Sequence, residues 1–164
     1  MSEPPWRYLV ALGSNVRHPA MGAPPRVVVA AMARLDTGGT RVIARSRIMA
    51  SDPVGPSLRR YANAAVVVET ALDPPALLSL LHGIERDFGR RRVGQKWRAR
   101  TLDLDIVLWS GGRWNDRRLT IPHAQFRGRD FVLRPACAIA RDWRDPVSGL
   151  SVGHLCARVL KQAS

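Results

Sequence analysis

The order in which strand-like and helix-like segments follow one another most constrains how this chain can fold. Apolar and β-branched side chains run together or alternate, as in strands, at residues 8–12, 41–48, 61–70 and 101–109. Apolar residues at helical spacing follow Pro24 and Asp73, so a helix is expected after the first strand and after the third. The order β-α-β-β-α-β predicts an α+β ferredoxin-like sandwich, an antiparallel sheet with helices on one face, plus a C-terminal extension.

The C-terminal extension shows one further helical pattern, beginning at Ser151. Val152, Leu155, Cys156 and Val159 fall on one face of that helix. The 164 residues suit a single domain over residues 1–164. With the helices on one side, the second face of the sheet is expected to stay open for a site built by loops.

The charge of the chain favours an anionic partner. The net charge is +13, and 24 of the 26 basic residues are arginine. Such a balance suits nucleic acid, an acidic surface or a polyphosphate, and charge alone does not choose among them.

Two features of the sequence indicate where in the cell the protein acts. No stretch approaches the roughly 20 consecutive apolar residues of a membrane span, and the N-terminus lacks the basic start and long apolar run of a secretory signal. We therefore expect a cytoplasmic protein that does not enter a membrane. Its two cysteines, Cys137 and Cys156, lack zinc-site spacing, and a cytosolic location argues against a disulfide.

Two aspartates in the last strand pattern carry the clearest chemical signal. In residues 101–108, four alternating aliphatic residues are expected to face the helices: Leu102, Leu104, Ile106 and Leu108. Asp103 and Asp105 then share the opposite face, about 7 Å apart from the strand rise. Carboxylates at that separation suit Mg²⁺, including two ions bridged by one phosphate chain. They could instead be solvated strand residues, but aspartate is a poor strand former.

A basic loop precedes this strand at residues 90–100, where six of eleven residues are cationic and one is Trp97. Arginines fork onto phosphate oxygens, and tryptophan stacks on flat rings. The same composition is typical of a nucleic-acid binder. The neighbouring aspartates favour a Mg-nucleotide site, because unscreened carboxylates would repel a nucleic-acid backbone.

Weaker signals lie elsewhere in the chain. Tyr61 and Asn63 share a strand face, as suits a planar heterocycle with hydrogen-bonding edges. Glu85 lies at the edge of the second helix's apolar face. A later group combines arginine, hydroxyl and imidazole side chains suited to polyphosphate: Arg118, Thr120, His123 and Arg129.

Together these segments resemble the 6-hydroxymethyl-7,8-dihydropterin pyrophosphokinase family, and the match runs through nearly the whole chain. The matching pieces are residues 11–15, 51–55, 61–64, 88–90, 100–106, 119–123 and 131–133, with Glu85, Trp97 and Arg129. The block RTLDLDI at residues 100–106 is highly specific, and a Pro-His pair follows it at residues 122–123.

The resemblance implies a role for each matching residue. Asp103 and Asp105 would hold two Mg²⁺ ions and form the catalytic set with Arg90 and Arg100. The pterin pocket would consist of Ser51, Pro53, Val54, Tyr61, Asn63, Trp97 and Phe131. ATP would be bound by Glu85, Arg90, Arg92, Trp97, Arg100, Ile106, Arg118, Thr120, His123 and Arg129.

The implied reaction moves pyrophosphate from ATP, the co-substrate, to the hydroxymethyl group of 6-hydroxymethyl-7,8-dihydropterin, giving the pterin diphosphate and AMP in folate biosynthesis. The partners would be these two small molecules, not nucleic acid or membrane, and the protein would act as a monomer. His82 and Ala124 depart from the family pattern near the nucleotide.

Two alternatives remain open at this level. The first is a basic nucleic-acid-binding module that uses the open sheet face. The second is a family member that binds ligands without catalysis, although the presence of Asp103, Asp105, Arg90 and Arg100 argues against it.

Overall fold

The computed structural model describes residues 5–51, 60–89 and 101–163. The strands are β1 (Trp6–Ser14), β2 (Thr40–Arg45), β3 (Met49–Ser51), β4 (Tyr61–Thr70), β5 (Asp103–Trp109), β6 (Trp114–Asn115) and β7 (Thr120–Ile121). The helices are α1 (Pro24–Leu35), α2 (Pro74–Asp87), α3 (Asp130–Ala140) and α4 (Val152–Ala163), with a 3₁₀ turn at Phe126–Gly128 before α3.

The main sheet is antiparallel throughout, in the order β2-β4-β1-β5, and β3 pairs with β4 beside β2. Strands β6 and β7 form a separate hairpin. The main sheet and the two helices that cross it confirm the predicted α+β ferredoxin-like fold. Because β1 and β4 are central, they carry nearly continuous apolar sequence, as strands buried on both faces do.

Local sequence explains where α1 and α2 begin and where α2 ends. Asp73 caps α2 by accepting a hydrogen bond from the Ala76 N–H at 3.0 Å, and Pro74 occupies the first helical position, as predicted. After α2, Gly89 adopts a φ of 101°, which favours glycine. Helix α1 likewise begins at a proline, Pro24.

Two apolar cores lie on opposite faces of the sheet. The first is formed with α1 and α2, and Val10, Leu77 and Ile84 are among its buried residues. The second is formed with α3 and α4, where Leu9 and Leu133 are fully buried. The expectation of an open second face was therefore wrong over the part that α3 and α4 cover.

A bulge in β5 places Leu108 on the opposite face of the sheet from the one predicted. The pairing of β1 with β5 shifts register so that Leu9 opposes Leu108 but Val10 opposes Ile106, which leaves Val107 as the extra residue. One extra residue reverses the alternation of side chains beyond it. Leu108 consequently packs in the second core, not in the first core with Ile106.

The prediction of one strand over residues 41–48, with alternate residues on one face, was wrong because of a second bulge. The structure divides this segment between β2 and β3, and the register shifts between Val42 and Ala44. Val42 and Ile48 pack against the first core, whereas Ala44 packs against the second.

The C-terminal extension contains one helix that was predicted and one that was not. Helix α4 begins where the pattern at Ser151 indicated, with Val152, Leu155 and Cys156 buried. Helix α3 was not predicted. It carries Pro135 in its interior, where proline removes a helical hydrogen bond and ordinarily indicates a break. Within the described ranges, no helix has the length and apolar character that crossing a membrane requires.

A buried ion pair ties the extension to the turn before α3. The carboxylate of Asp145 is 0% exposed and accepts two hydrogen bonds from the Arg127 guanidinium, at 2.6 and 2.8 Å. Burial by itself would raise the pKa of Asp145, but hydrogen bonds from Arg127, Ser148 and Val147 outweigh it and hold that pKa well below its ordinary value.

Asp145→Asn is expected to lower the free energy of unfolding at neutral pH by about 2 kcal/mol, because it leaves Arg127 without its anion. A carboxylate whose pKa is depressed by folding stabilises the protein above its unfolded pKa, and that stability is lost as pH falls through the folded pKa. The difference between variant and wild type should therefore shrink below about pH 4. Urea unfolding at several pH values measures it.

The matched control is Asp142→Asn, which changes an exposed aspartate three residues earlier and should have little effect. An equal loss for Asp145→Asn at neutral pH and at about pH 3 would contradict the electrostatic explanation.

Candidate active site

The end of β1 and the beginnings of β4 and β5 meet at one end of the sheet. Gly13 of β1 lies opposite Asn63 of β4 on one side and opposite Asp103 of β5 on the other. Two residues earlier in β1, Ala11 lies opposite Asp105. Because alternate strand residues share a face, this register brings both aspartates and Asn63 to the same side of the sheet.

A cleft of about 320 Å³ lies over these strand ends, a size that suits a small organic ligand. Its lining residues are Ala11, Leu12, Gly13, Ser51, Tyr61, Asn63, Asp103, Asp105, Arg129, Phe131 and Val132. The small residues of β1 make space for this cleft. A Cβ added at Gly13 would lie 3.5 Å from Asn63 Oδ1.

A hydrogen bond fixes the amide on the β4 side of the cleft. Asn63 is 5% exposed, and its Nδ2 donates to Ser51 Oγ at 2.7 Å. Its Oδ1 therefore stays on the side of Gly13, as an acceptor for a ligand N–H. Tyr61 is half-buried two residues earlier and faces the same cleft.

The wall opposite comes from the start of α3. Phe131 and Val132 line the cleft, and the guanidinium carbon of Arg129 lies 5.7 Å from the centroid of the Phe131 ring. Arg129 also donates a hydrogen bond to the side-chain oxygen of Gln125. An aromatic ring and a cation thus line the same cleft as the Asn63 amide.

The two aspartates differ in exposure, Asp103 being half-buried and Asp105 exposed. Glu85 holds the backbone between them: it is 4% exposed, and its Oε2 accepts a hydrogen bond from the Leu104 N–H at 3.0 Å. Since β5 is an edge strand, some of its N–H groups have no strand partner, and the Glu85 carboxylate supplies one. Glu85 itself does not line the cleft.

His123 lies near Asp105 as a neutral imidazole. Burial lowers the pKa of His123 below its ordinary value and Arg129 acts in the same direction, whereas Asp105 opposes them. The Nδ1 atom accepts a hydrogen bond from the Gln125 N–H at 3.1 Å, so Nε2 carries the proton and can donate.

Three other residues expected at the nucleotide do not line the cleft. Arg118 and Thr120 are exposed on the β6–β7 hairpin. Asp116 shapes that hairpin by accepting hydrogen bonds from the Arg118 and Leu119 N–H groups, at 2.7 and 2.8 Å. The Ile106 side chain packs in the first core and is 3% exposed, so only the backbone of Ile106 could contact a ligand.

Some predicted site residues lie outside the described residues: Pro53, Val54, Arg90, Arg92, Trp97 and Arg100. Within the described ranges, the structure brings together Ser51, Tyr61, Asn63, Asp103, Asp105, Arg129 and Phe131.

The sequence reasoning missed the cleft floor, Ala11 and Gly13, and the wall residue Val132. The available signals were the pair of small residues within the apolar run of β1 and the family match at residues 11–15 and 131–133. The small residues of β1 can be assigned to the cleft only once the pairing of β1 with β4 and β5 is known.

Comparison with known proteins identifies relatives with one described activity. The sequence profile of the family described as 7,8-dihydro-6-hydroxymethylpterin-pyrophosphokinase (HPPK) matches residues 9–141. The chain is 38% identical over 134 residues to the 2-amino-4-hydroxy-6-hydroxymethyldihydropteridine pyrophosphokinase of Haemophilus influenzae, covering 81% of each chain. It is 39% identical over 141 residues to the protein of the same name from Pseudomonas aeruginosa, covering 85% of this chain and 84% of that one.

Other relatives are longer than the matched region. A Synechocystis protein of the same name is 45% identical over 105 residues, which span 64% of this chain and 53% of the relative. The crystal structure of Plasmodium falciparum HPPK-DHPS with pteroate superposes with a TM-score of 0.71 at 14% identity, over 99% of this chain and 44% of that chain. That likeness shows the fold.

Glu85→Leu is expected to lower the free energy of unfolding by about 1–3 kcal/mol, because the Leu104 N–H loses its acceptor. Glu85→Gln keeps an oxygen at the same position and should lose less, which makes it the matched control. Urea unfolding of both variants measures the difference. Equal stability of Glu85→Leu and the wild type would show that this hydrogen bond contributes nothing.

Proposed function

This chain belongs to the 7,8-dihydro-6-hydroxymethylpterin-pyrophosphokinase family, and on that premise we propose that it transfers pyrophosphate from Mg-ATP to the hydroxymethyl group of 6-hydroxymethyl-7,8-dihydropterin. The products are the pterin diphosphate and AMP, and the step serves folate biosynthesis. The observation that carries the proposal is a pair of carboxylates, Asp103 and Asp105, on the same small cleft as an amide and an aromatic ring.

The pterin fits the half of the cleft between β4 and α3. A pterin is flat and presents hydrogen-bond donors and acceptors along its edges. Asn63 offers a fixed amide oxygen at one side, and Phe131 offers a ring face at the other. A Cβ added at position 13 would lie 3.5 Å from the Asn63 amide oxygen, so glycine keeps that oxygen open to the ligand. Ser51 and Tyr61 complete this end, with Pro53, Val54 and Trp97 predicted beside them.

The aspartates suit magnesium at the other end of the cleft. Within the described ranges, no group of three or more metal-ligating side chains lies together. Mg²⁺ is usually held by one or two carboxylates together with substrate phosphates and waters, and Asp103 and Asp105 offer two carboxylates on one face of β5. Two ions, both held by Asp103 and Asp105, are proposed here. When bound, Mg²⁺ neutralises phosphate oxygens and lowers the energy of charge developing on them.

The reaction is a displacement at phosphorus. The hydroxymethyl oxygen attacks the β-phosphorus of ATP, the bond to the oxygen bridging the α- and β-phosphates breaks, and AMP leaves. Such a step depends mostly on positioning and charge neutralisation. Arg129 supplies positive charge at the cleft, and the neutral His123 offers its Nε2–H as a donor. Arg90, Arg92 and Arg100 are predicted to clamp the phosphates.

Other nucleotide contacts stay predictions. Arg118 and Thr120 would reach ATP from the exposed hairpin, and Ile106 would contribute through its backbone. Glu85 supports the site from beneath the aspartates by its hydrogen bond to Leu104. A single pyrophosphokinase domain over residues 1–164, a monomeric state and a cytoplasmic location also stay predictions.

The nucleic-acid alternative loses its main support. It relied on an open sheet face for stacking bases, and α3 and α4 cover part of that face. The remaining uncovered part carries Asp103 and Asp105, which would repel a phosphate backbone in the absence of metal.

AMP formation tests the proposed activity directly. Purified protein is incubated with ATP, with and without 6-hydroxymethyl-7,8-dihydropterin, and with and without Mg²⁺. AMP and the pterin diphosphate should appear together only when pterin and metal are both present. A folded sample that makes no AMP under any of these conditions would contradict the proposal.

Asp105→Asn should reduce turnover by a factor on the order of 10³ or more, because a neutral amide cannot neutralise Mg²⁺ charge as a carboxylate does. The unfolding midpoint should stay close to that of the wild type, since Asp105 is exposed. The control is Asp142→Asn, which removes an exposed aspartate on another part of the surface and should keep full activity. Near-normal turnover of Asp105→Asn would remove this residue from the metal site.

A further inference from the structure

Gln125 contacts two residues of the site without lining the cleft itself. Its backbone N–H donates to His123 Nδ1 at 3.1 Å, and its side-chain oxygen accepts a hydrogen bond from the Arg129 guanidinium. Gln125 is exposed, whereas Arg129 is half-buried and lines the cleft. One surface residue thus holds both the imidazole and the guanidinium that are proposed to meet the nucleotide.

We propose that the Gln125 side chain is a positioning residue, which holds the Arg129 guanidinium in the cleft for the phosphates of ATP. The inference rests on the proposed function, because that function places a triphosphate beside Arg129. A guanidinium has five N–H donors, so one hydrogen bond to Gln125 leaves others for phosphate oxygens. The amide is also neutral, so it orients the guanidinium without cancelling the charge that phosphate needs.

The turn that carries Gln125 is anchored on both sides. Before it, the His123 N–H donates to the Val107 carbonyl of β5 at 3.1 Å. After it, Phe126 is 1% exposed and packs in the second core. The backbone of Gln125 is therefore fixed relative to β5 and to the core, and its side chain transmits that position to Arg129.

The Phe131 ring restrains the same guanidinium in a different way. The guanidinium carbon of Arg129 lies 5.7 Å from the centroid of that ring. A cation above an aromatic face is attracted to it but can move across it, whereas a hydrogen bond also fixes direction. Since an arginine side chain has many rotamers, loss of the Gln125 oxygen should let the guanidinium leave its place in the cleft.

A double-mutant cycle tests this role through binding. The four proteins are the wild type, Gln125→Leu, Arg129→Met and the double variant. The probe is the Mg²⁺ complex of an ATP analogue with a methylene group between the α- and β-phosphates, which the proposed reaction cannot cleave. Leucine removes the acceptor oxygen and keeps the backbone N–H that donates to His123, so the substitution isolates the contact with Arg129.

Gln125→Leu should bind the analogue about five- to tenfold more weakly, as the loss of one hydrogen bond to a charged group predicts. Arg129→Met should lose at least as much affinity. The double variant should bind like Arg129→Met, because Gln125 acts through Arg129 and has nothing left to position. Titration calorimetry measures all four affinities.

Melting temperature and a matched control separate positioning from folding. Gln125 is exposed, so the melting temperature of Gln125→Leu should stay within about 2 °C of the wild type. Gln162→Leu makes the same change at an exposed position of α4 and should keep wild-type affinity.

Three results would overturn the role of Gln125: wild-type affinity of Gln125→Leu, an equal further loss when Gln125→Leu is added to Arg129→Met, or a loss of affinity that accompanies a much lower melting temperature. AMP formation by the wild type distinguishes this failure from failure of the proposed function. A wild type that binds the analogue but forms no AMP contradicts the function, and the cycle still decides the role of Gln125. A wild type that does not bind the analogue contradicts both.

Discussion

The pairing of β1 with β4 on one side and with β5 on the other is the interaction on which the site depends. Gly13 stands between Asn63 and Asp103, and Ala11 stands beside Asp105. Since side chains alternate along a strand, a slip of one residue in either pairing would turn the aspartates or the asparagine to the other face of the sheet. The same backbone hydrogen bonds that build the sheet therefore set the distance between the two aspartates and the Asn63 amide of the cleft.

Burial on both faces of the sheet protects that register. The first core packs α1 and α2 on one face, and the second packs α3 and α4 on the other. Shifting β1 would move Leu9 and Val10, both 0% exposed, out of two different cores at once. The bulge at Val107 changes which face the β5 side chains occupy. Before it, Asp103 and Asp105 face the cleft, and beyond it, Leu108 can face the second core.

Two buried carboxylates hold the outer parts of the site in place. Glu85 accepts the Leu104 N–H of edge strand β5, between the two aspartates. Asp145 binds Arg127 in the turn just before Arg129 and α3. Each carboxylate is stabilised by hydrogen bonds inside the protein, and such groups define a unique arrangement because an unpaired partner would be costly. The acidic edge and the α3 wall of the cleft thus each rest on one buried anion.

The sequence by itself determined the β-α-β-β-α-β order of the main sheet with its first two helices, and the chemistry at the strand ends. Alternation of aliphatic and acidic residues in 101–106 indicated a strand with one functional face, and the cap at Asp73 indicated the start of α2, because these signals depend on neighbouring residues only. The grouping of Asp103, Asp105, Tyr61 and Asn63 followed from residue type and spacing together with the family resemblance.

Only the tertiary structure decided which faces the bulged strands present, what covers the second sheet face and what forms the cleft floor. Bulges at Ile43 and Val107 arise where strands pair in a sheet that is buried on both faces, so no local pattern showed that Ala44 and Leu108 belong to the second core. Helix α3 forms despite Pro135 because its apolar face is buried against the sheet and α4. The place of Gly13 between Asn63 and Asp103 likewise depends on residues distant in sequence, and distance in sequence is what local patterns do not encode.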